Sequence, residues 1–369
     1  MVTRIAKPKV LLTCDIPEHI PEYQEFQKYF DVVHLHNPSR QQLIHAFKNE
    51  LSDIQAIYSG WDGLSNIKHF DEEMIQNSPE SLKIISIGSV GHDNYDSKAM
   101  RSLRNIHLTN VPSLDSSDGD VADAALYFTL STFRHFQTFE KSLKESGTTL
   151  AAREDLHATD YDYTNGRGGA EKLSGFAFGH ISGGKNVNSP RGKNAAIIGF
   201  GAIGRAVGDR LSAIGMNIHY TKRTPLPKSQ LPKHYIATHH DSLESILPIA
   251  DVVVLCVPGT PENRHLINEK TIALLPSQGS RIINVGRGSL IDEAALIRGL
   301  QNGKVISAGL DVFENEPFVN AELLKRDDVI STPHCGSSTL EVYEFGAVSA
   351  MKQIFEALLL NKAPENLVN

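Results

Sequence analysis

The chain has 369 residues, an apolar fraction of 40% and a formal net charge of −7. Basic and acidic residues are interspersed, which argues against a nucleic-acid face, and no apolar run approaches the length of a membrane span. Cys14, Cys256 and Cys335 are scattered without C-x-x-C spacing, so no disulfide framework, cysteine cluster or other metal site is expected. Two domains are expected at this length. The basic first ten residues lack an apolar leader core and the chain ends Leu367-Val368-Asn369, so a reduced cytoplasmic setting is expected.

The first hundred residues alternate short β and α patterns. Strands are predicted at 9–13, 31–35, 56–58 and 82–87, and helices at 22–30 and 41–49. Such alternation argues for a parallel α/β sheet. Asp118-Gly119-Asp120 then leads into one helix over 121–140, with acidic residues in its first turn, where the helix dipole favours them. Leu126, Phe128, Leu130, Phe133, Phe136 and Phe139 cannot all share one helical face, so cover is needed on more than one side. One side can pack on the sheet; a second copy of the chain is expected on the other, as a two-fold homodimer. Residues 159–190 are rich in Gly, Asn, Ser and Tyr and have no period. They read as an excursion long enough to reach a partner.

From Lys193 the alternation resumes. Strands are predicted at 195–198, 217–220, 252–257, 281–285 and 306–310, with helices at 205–214, 293–301 and 323–326. This is the pattern of a doubly wound, Rossmann-type domain. A last helix over 338–361 ends before Pro364.

The strand at 195–198 runs straight into Gly199-Phe200-Gly201-Ala202-Ile203-Gly204, a G-x-G-x-x-G sequence followed by a helical pattern. Gly199 allows the tight turn, Gly201 lets the backbone approach a pyrophosphate, and Gly204 lets the helix pack close to the sheet. The pyrophosphate would sit on the amides of the helix N-terminus, where Ala202 and Ile203 lie. An NAD-specific site places Asp or Glu at the end of the second strand. Here that strand ends Tyr220-Thr221-Lys222-Arg223-Thr224, without a carboxylate. Thr221, Lys222 and Arg223 suit a 2′-phosphate, so NADP(H) is expected ahead of NAD(H).

Three polar residues follow later strands: Arg287 in Val285-Gly286-Arg287-Gly288, Glu316 in Asp311-Val312-Phe313-Glu314-Asn315-Glu316-Pro317, and His334 in Thr332-Pro333-His334-Cys335-Gly336. Ligands bind at the carboxyl ends of strands in open α/β sheets. An arginine can grip a carboxylate in bidentate fashion, a histidine can move a proton near neutral pH, and a carboxylate hydrogen-bonded to it can hold its orientation and keep it protonated.

Together these segments resemble the D-isomer-specific 2-hydroxy acid dehydrogenase family over nearly the whole chain. The likeness also runs through Ser86-Ile87-Gly88-Ser89-Val90-Gly91-His92-Asp93-Asn94, Asp120-Val121-Ala122-Asp123, Val257-Pro258-Gly259-Thr260-Pro261-Glu262 and Pro364-Glu365-Asn366-Leu367-Val368-Asn369. The resemblance implies an α/β fold of two Rossmann-type doubly wound parallel-sheet domains with an active-site cleft between them. Residues 1–111 plus 337–369 would form a discontinuous substrate (lid) domain, and 112–336 the dinucleotide-binding domain. It implies a small 2-oxo or 2-hydroxy acid as substrate, with His334 as acid and base, Glu316 as its partner and Arg287 on the substrate carboxylate. Backbone amides of Val90 and Gly91 would share that carboxylate. Val257, Pro258 and Asp311 would lie at the cofactor, Asp311 near the carboxamide of the nicotinamide.

Within the family, Gly183-Gly184-Lys185-Asn186 and Ser189-Pro190-Arg191-Gly192-Lys193 resemble the D-mandelate dehydrogenase branch, with glyoxylate and hydroxypyruvate reductases as the other comparison. The loop holding Trp61 would face the substrate, leaving open whether Trp61 is core or pocket, and whether the acid is glyoxylate, hydroxypyruvate or a bulkier phenylglyoxylate. Phe176 or Phe178 stands in for a tryptophan common before the glycine-rich turn, His92 replaces an apolar or tyrosine residue, and Cys335 reads as a small packing residue. The same fold also serves NAD(H)-sensing corepressors, the alternative to an enzyme.

Overall fold

Short aliphatic runs form five parallel strands in the first of two units, Met1–Leu114 with Ser338–Asn369. They are β1 (Lys9–Leu12), β2 (Asp31–His34), β3 (Ala56–Ser59), β4 (Ile84–Ile87) and β5 (His107–Thr109), in the order β2-β1-β3-β4-β5. Every residue of β3 and β4 is buried, as in parallel strands covered on both faces. On one face, Leu43, Phe47, Met74 and Met100 of three helices pack on Leu11, Ile57 and Ile85. On the other, Tyr23 and Phe26 of helix Pro21–Tyr29 join Ala347, Ala350 and Ile354 of helix Leu340–Leu359 over Val10, Leu12 and Ile84. The C-terminal helix thus completes a core begun at the other end of the chain. The computed structural model describes residues 6–60, 64–112 and 115–369.

Two helices of this unit, Glu72–Asn77 and Ser97–Arg104, and the strand β5 add to the elements read from sequence. The helices are too short for their apolar spacing to stand out. Their caps were the available signal: Asp71 accepts from the Met74 amide and Asp96 from the Ala99 amide.

The second unit, Asp115–Ser337, opens with helix Asp115–Arg134. The single helix expected over 121–140 is two helices, because His135 turns left-handed at φ 53° and a second helix, Phe136–Ser146, starts after it. The first also begins earlier than expected, so Asp118 and Asp120 lie within it. The break resolves the crowded apolar pattern: Phe128 and Phe133 are fully buried while Phe136 turns outward. A third helix, Thr149–Leu156, follows.

The excursion at 159–190 is not structureless. It folds into two antiparallel hairpins, β6 (Tyr161–Asp162) with β7 (Arg167–Gly168), and β8 (Ile181–Ser182) with β9 (Lys185–Asn186). Two-residue strands have no detectable period. The excursion docks on its own chain through a buried ionic anchor. Lys185 Nζ donates to the Ile306 carbonyl at 2.6 Å and to Asp328 at 3.1 Å, and lies 3.8 Å from the centre of the Tyr161 ring. Arg326 shares Asp328 and reaches the carbonyls of Tyr163 and Thr164. Burial drives the Lys185 ammonium down to about 8, against the attraction of Asp328.

The rest of the unit is a seven-stranded parallel sheet. Its strands are β10 (Asn194–Ile198), β11 (Asn217–Thr221), β12 (Ala237–His240), β13 (Val252–Leu255), β14 (Ser280–Asn284), β15 (Val305–Leu310) and β16 (Val329–Ser331), in the order β12-β11-β10-β13-β14-β15-β16. The α/β class with two parallel sheets is as expected from sequence. Strand order reverses at β10, which creates a crevice at its carboxyl end. Among the described residues no helix is long and apolar enough to cross a membrane, and no group of three or more metal-ligating side chains forms.

Candidate functional site

The turn after β10 has the geometry its glycines require. Gly199 sits at φ 95°, and a side chain there would meet Val257 Cγ1 at 2.6 Å. A side chain at Gly204 would collide with the Gly199 carbonyl, so the helix Ala202–Ala213 presses directly on the turn. Gly201 differs: a Cβ there would meet nothing within 4 Å. It caps the helix without a side-chain bond, and no acidic residue lies in the first turn. Open space before uncapped helix amides fits a dinucleotide pyrophosphate.

At the end of β11, the Thr221 carbonyl accepts the Gly199 amide at 3.1 Å, which ties the turn to the segment bearing Lys222 and Arg223. Lys222 is half-buried and Arg223 exposed. Glu262, held below the ordinary carboxylate range first by its own backbone amide and then by the Thr260 hydroxyl, also feels the Arg223 charge.

From this turn a line of contacts runs along the carboxyl ends of neighbouring strands. Val257 follows β13, and its carbonyl lies 2.9 Å from where a Gly286 side chain would begin. Gly286 and Arg287 follow β14. Asn284, fully buried at the end of that strand, accepts the Gly286 amide at 3.1 Å and donates to the Arg287 carbonyl at 2.8 Å. The Arg287 guanidinium donates to the Gly286 carbonyl at 2.9 Å. Next, Gly288 abuts the Phe313 carbonyl so closely that any side chain would collide with it. That contact joins the Arg287 loop to the loop after β15, where Glu316 lies.

Glu316 and His334 meet. His334 Nδ1 donates to Glu316 Oε2 at 2.9 Å, and Glu316 Oε1 accepts the Phe313 amide at 2.8 Å. Burial raises the Glu316 carboxyl, but the bond and charge of His334, the Phe313 amide and the Arg287 charge outweigh it, so the group is held below its ordinary range. His334 itself has φ 55°, an uncommon backbone for a residue with a side chain. Buried Asp311 supports it, taking the Thr332 hydroxyl at 2.5 Å and the Cys335 and Gly336 amides at 2.8 Å each. Strain of this kind persists only where the surroundings over-determine it.

Arg287, Glu316, His334 and Asp311 are therefore brought together beside the glycine-rich turn and Val257. Pro258 follows as an exposed residue whose carbonyl accepts from Asn263 at 2.9 Å. Asp311 has a task the sequence did not suggest, since its carboxylate builds the His334 turn. Asn284 and Thr332 were also missed. The available signal was a polar residue closing an apolar strand, Ile282-Ile283-Asn284, where an unpaired amide would be costly. Cys335 corrects another expectation: it is exposed rather than packed.

Val90 and Gly91 belong to the first unit, in the loop after β4. Asn110 Nδ2 donates to the Val90 carbonyl at 2.8 Å, the Ser89 hydroxyl to the Gly91 carbonyl at 3.0 Å, and the Val111 amide to the Ser89 carbonyl at 3.1 Å. These bonds fix the peptide planes of the loop. His92 lies beside them, its Nδ1 at 3.4 Å from the Val90 carbonyl. Trp61 lies outside the described residues.

The family described as "D-isomer specific 2-hydroxyacid dehydrogenase, NAD binding domain" matches residues 170–336. Glyoxylate reductase of Pyrococcus furiosus is 39% identical over 178 residues, covering 48% of this chain and 52% of that protein. The chain thus spans about half the length of that curated relative. Among solved structures, the holo form of Rhodotorula graminis D-mandelate dehydrogenase is 28% identical, with a TM-score of 0.84 over 99% of this chain and 98% of that one. The NADPH-dependent glyoxylate/hydroxypyruvate reductase of Sinorhizobium meliloti, in complex with NADP and malonate, is 26% identical, with a TM-score of 0.73 over 98% of this chain and 97% of that one.

Proposed function

Because the chain belongs to the D-isomer specific 2-hydroxyacid dehydrogenase family, we propose that it reduces a 2-oxo acid to a D-2-hydroxy acid with NADPH and catalyses the reverse oxidation. The observation that carries this reading is the His334–Glu316 pair, at 2.9 Å, on the strand ends that also bear Arg287 and the glycine-rich turn. Gly199, Gly201 and Gly204, with the amides of Ala202 and Ile203, would hold the cofactor pyrophosphate. Val257 and Pro258 would flank the cofactor, and Asp311 would lie near its nicotinamide while holding the His334 turn. When bound, the nicotinamide supplies the hydride for reduction and accepts it in oxidation.

The remaining chemistry belongs to side chains. His334 would deliver a proton from Nε2 to the substrate oxygen during reduction and take it back during oxidation. Ionised Glu316, bound to Nδ1, would fix the ring orientation and favour its protonated form. Arg287 would grip the substrate carboxylate and draw electron density from the carbonyl. The amides of Val90 and Gly91 are proposed partners of the same carboxylate.

The substrate class rests on relatives named for glyoxylate, hydroxypyruvate and D-mandelate. Oxidation of NADPH and NADH against a panel from glyoxylate and hydroxypyruvate to phenylglyoxylate tests it. Turnover of at least one acid is expected, and inertness toward all of them with both cofactors removes the reading.

NADPH is expected to be preferred, because Thr221, Lys222 and Arg223 offer a hydroxyl and two cations where an NAD site has a carboxylate. Arg223→Asp is expected to erase or reverse the preference by removing a phosphate partner and adding a repulsive charge. A higher kcat/KM with NADH in the unaltered protein contradicts this assignment.

A homodimer built on the second unit is proposed as well. Tyr127, Phe136, Leu143 and Leu150 are exposed on its helices, beside a groove of about 430 Å³ lined by Leu126, Tyr127, Leu130 and Phe136. Phe176 and Phe178 of the excursion are each 72% exposed. Apolar surface of this extent favours cover by a partner. Light scattering at micromolar concentration is expected to give twice the chain mass; a single-chain mass that persists on further concentration rules the dimer out.

A further inference from the structure

A second polar cluster, formed by His265, Glu314 and Glu293, lies behind the Arg287 and Glu316 loops. His265 is another residue in the left-handed region, at φ 51°. Its backbone amide donates to the Ser289 carbonyl at 2.8 Å, two residues past Arg287. Ile267 continues this contact, taking the Asp292 amide and giving its own to the Leu290 carbonyl, each at 2.9 Å. The side chain of His265 goes elsewhere: its Nε2 lies 2.5 Å from Glu314 Oε1, where an ionised carboxylate can only accept. Arg264 Nη2 donates to the same oxygen at 3.0 Å.

Glu314 stands two residues before Glu316 and is mostly buried. Its amide donates to Glu293 Oε1 at 2.9 Å, and its Oε2 receives the Glu293 amide at 3.4 Å. Three carboxylates, of Glu293, Glu314 and Glu316, are thus held in one region. Burial raises the Glu293 carboxyl, and the Glu314 and Glu316 charges add to that, against the Glu314 amide and Asn320. The adjoining residue Phe313 donates its amide to Glu316 Oε1, so the backbone that Glu314 anchors through its own amide to Glu293 also holds the Glu316 carboxylate.

We infer that His265 and Glu314 form a positioning pair that sets Glu316, and through it His334, against Arg287. His265 holds the Arg287 loop by its backbone and the Glu316 loop by its ring, and touches no reacting atom. This rests on the reductase reading above, and its test separates the two.

Two variants at His265 divide its roles. H265N keeps a residue tolerant of the left-handed backbone but is too short to make the ring bond. H265Q places an amide nitrogen near the position of Nε2. With the 2-oxo acid that turns over best, H265N is expected to lower kcat by about tenfold, as a misplaced catalytic group does. The KM for that acid and the dissociation constant of NADPH, read by fluorescence, are expected to stay within about twofold, and H265Q to recover most of the lost kcat. E314D keeps the charge but withdraws the carboxylate from the ring, and is expected to repeat the loss. Without substrate, a ¹³C carboxyl titration is expected to show Glu316 rising toward its ordinary range in H265N and E314D.

Wild-type kcat in E314D overturns the inference even if H265N does not fold. So does a loss in H265Q equal to that in H265N, or a Glu316 titration that neither variant moves. Absence of turnover in the unaltered protein overturns the reductase reading instead, and the carboxyl titration then decides the positioning role alone.

Discussion

Replacing His334 with alanine is expected to lower kcat for 2-oxo acid reduction by about a hundredfold or more, the usual scale for a general acid. The imidazole is proposed as proton donor to the substrate oxygen, and it sits in the turn that Asp311 builds by its bonds to Thr332, Cys335 and Gly336. NADPH binding is expected to survive, because the glycine-rich turn lies after a different strand. Glu316→Gln is expected to give a smaller loss, since an amide can still orient Nδ1 but cannot stabilise the ring's positive charge. The pH dependence follows from Glu316. Its carboxyl is held below the ordinary range, so the paired carboxylate contributes stability above the unfolded-state value, which is lost as pH falls through the folded-state value. Activity on the acid side is therefore expected to persist below the ordinary glutamate pKa of about 4.3. Steady-state kinetics across pH checks both points; near-unaltered kcat in His334→Ala refutes the assignment.

Replacing Arg287 with alanine is expected to cost more in kcat/KM, about a thousandfold. Loss of one preorganised donor aimed at developing oxyanion charge costs on the order of 10²–10³ in rate, and the same guanidinium is proposed to bind the substrate carboxylate. Both KM and kcat are therefore expected to suffer, unlike in His334→Ala. Lysine is not expected to restore activity, because its point charge cannot reproduce a planar bidentate grip. Asn284 fixes the backbone of Arg287 at 2.8 Å, so the turn should keep its shape in the alanine variant, which circular dichroism and NADPH affinity can verify. An Arg287→Ala protein with unchanged KM and kcat removes Arg287 from the site.

The positions of Gly199, Arg287 and Glu316 were legible because each follows a strand that declares itself. β13 and β14 are buried along their whole length, as parallel strands covered on both faces are, and show it in the aliphatic runs Val252–Leu255 and Ile282-Ile283. Gly199, Arg287 and His334 come within three residues of a strand end, and Glu316 within six. Edge elements were less visible. β12, Ala237-Thr238-His239-His240, is polar and half-buried, and β16 is a three-residue strand without a fully buried residue.

The sequence by itself determined most of the longer local elements, the turn that needs glycine at 199, and the three side chains Arg287, Glu316 and His334 offered as a site. Only the tertiary structure decided which charges meet. Lys185 pairs with Asp328 across 143 residues, Glu314 with His265 across 49, and Asp311 with the amides around His334 across 24 and 25. The break at His135 and the hairpins of the excursion also emerged only there. The physical reason is one of range. Apolar periodicity reports how a segment a few residues long is buried, whereas ion pairs and buried hydrogen bonds depend on strand order and loop packing, which bring distant residues within hydrogen-bond distance without leaving a local pattern.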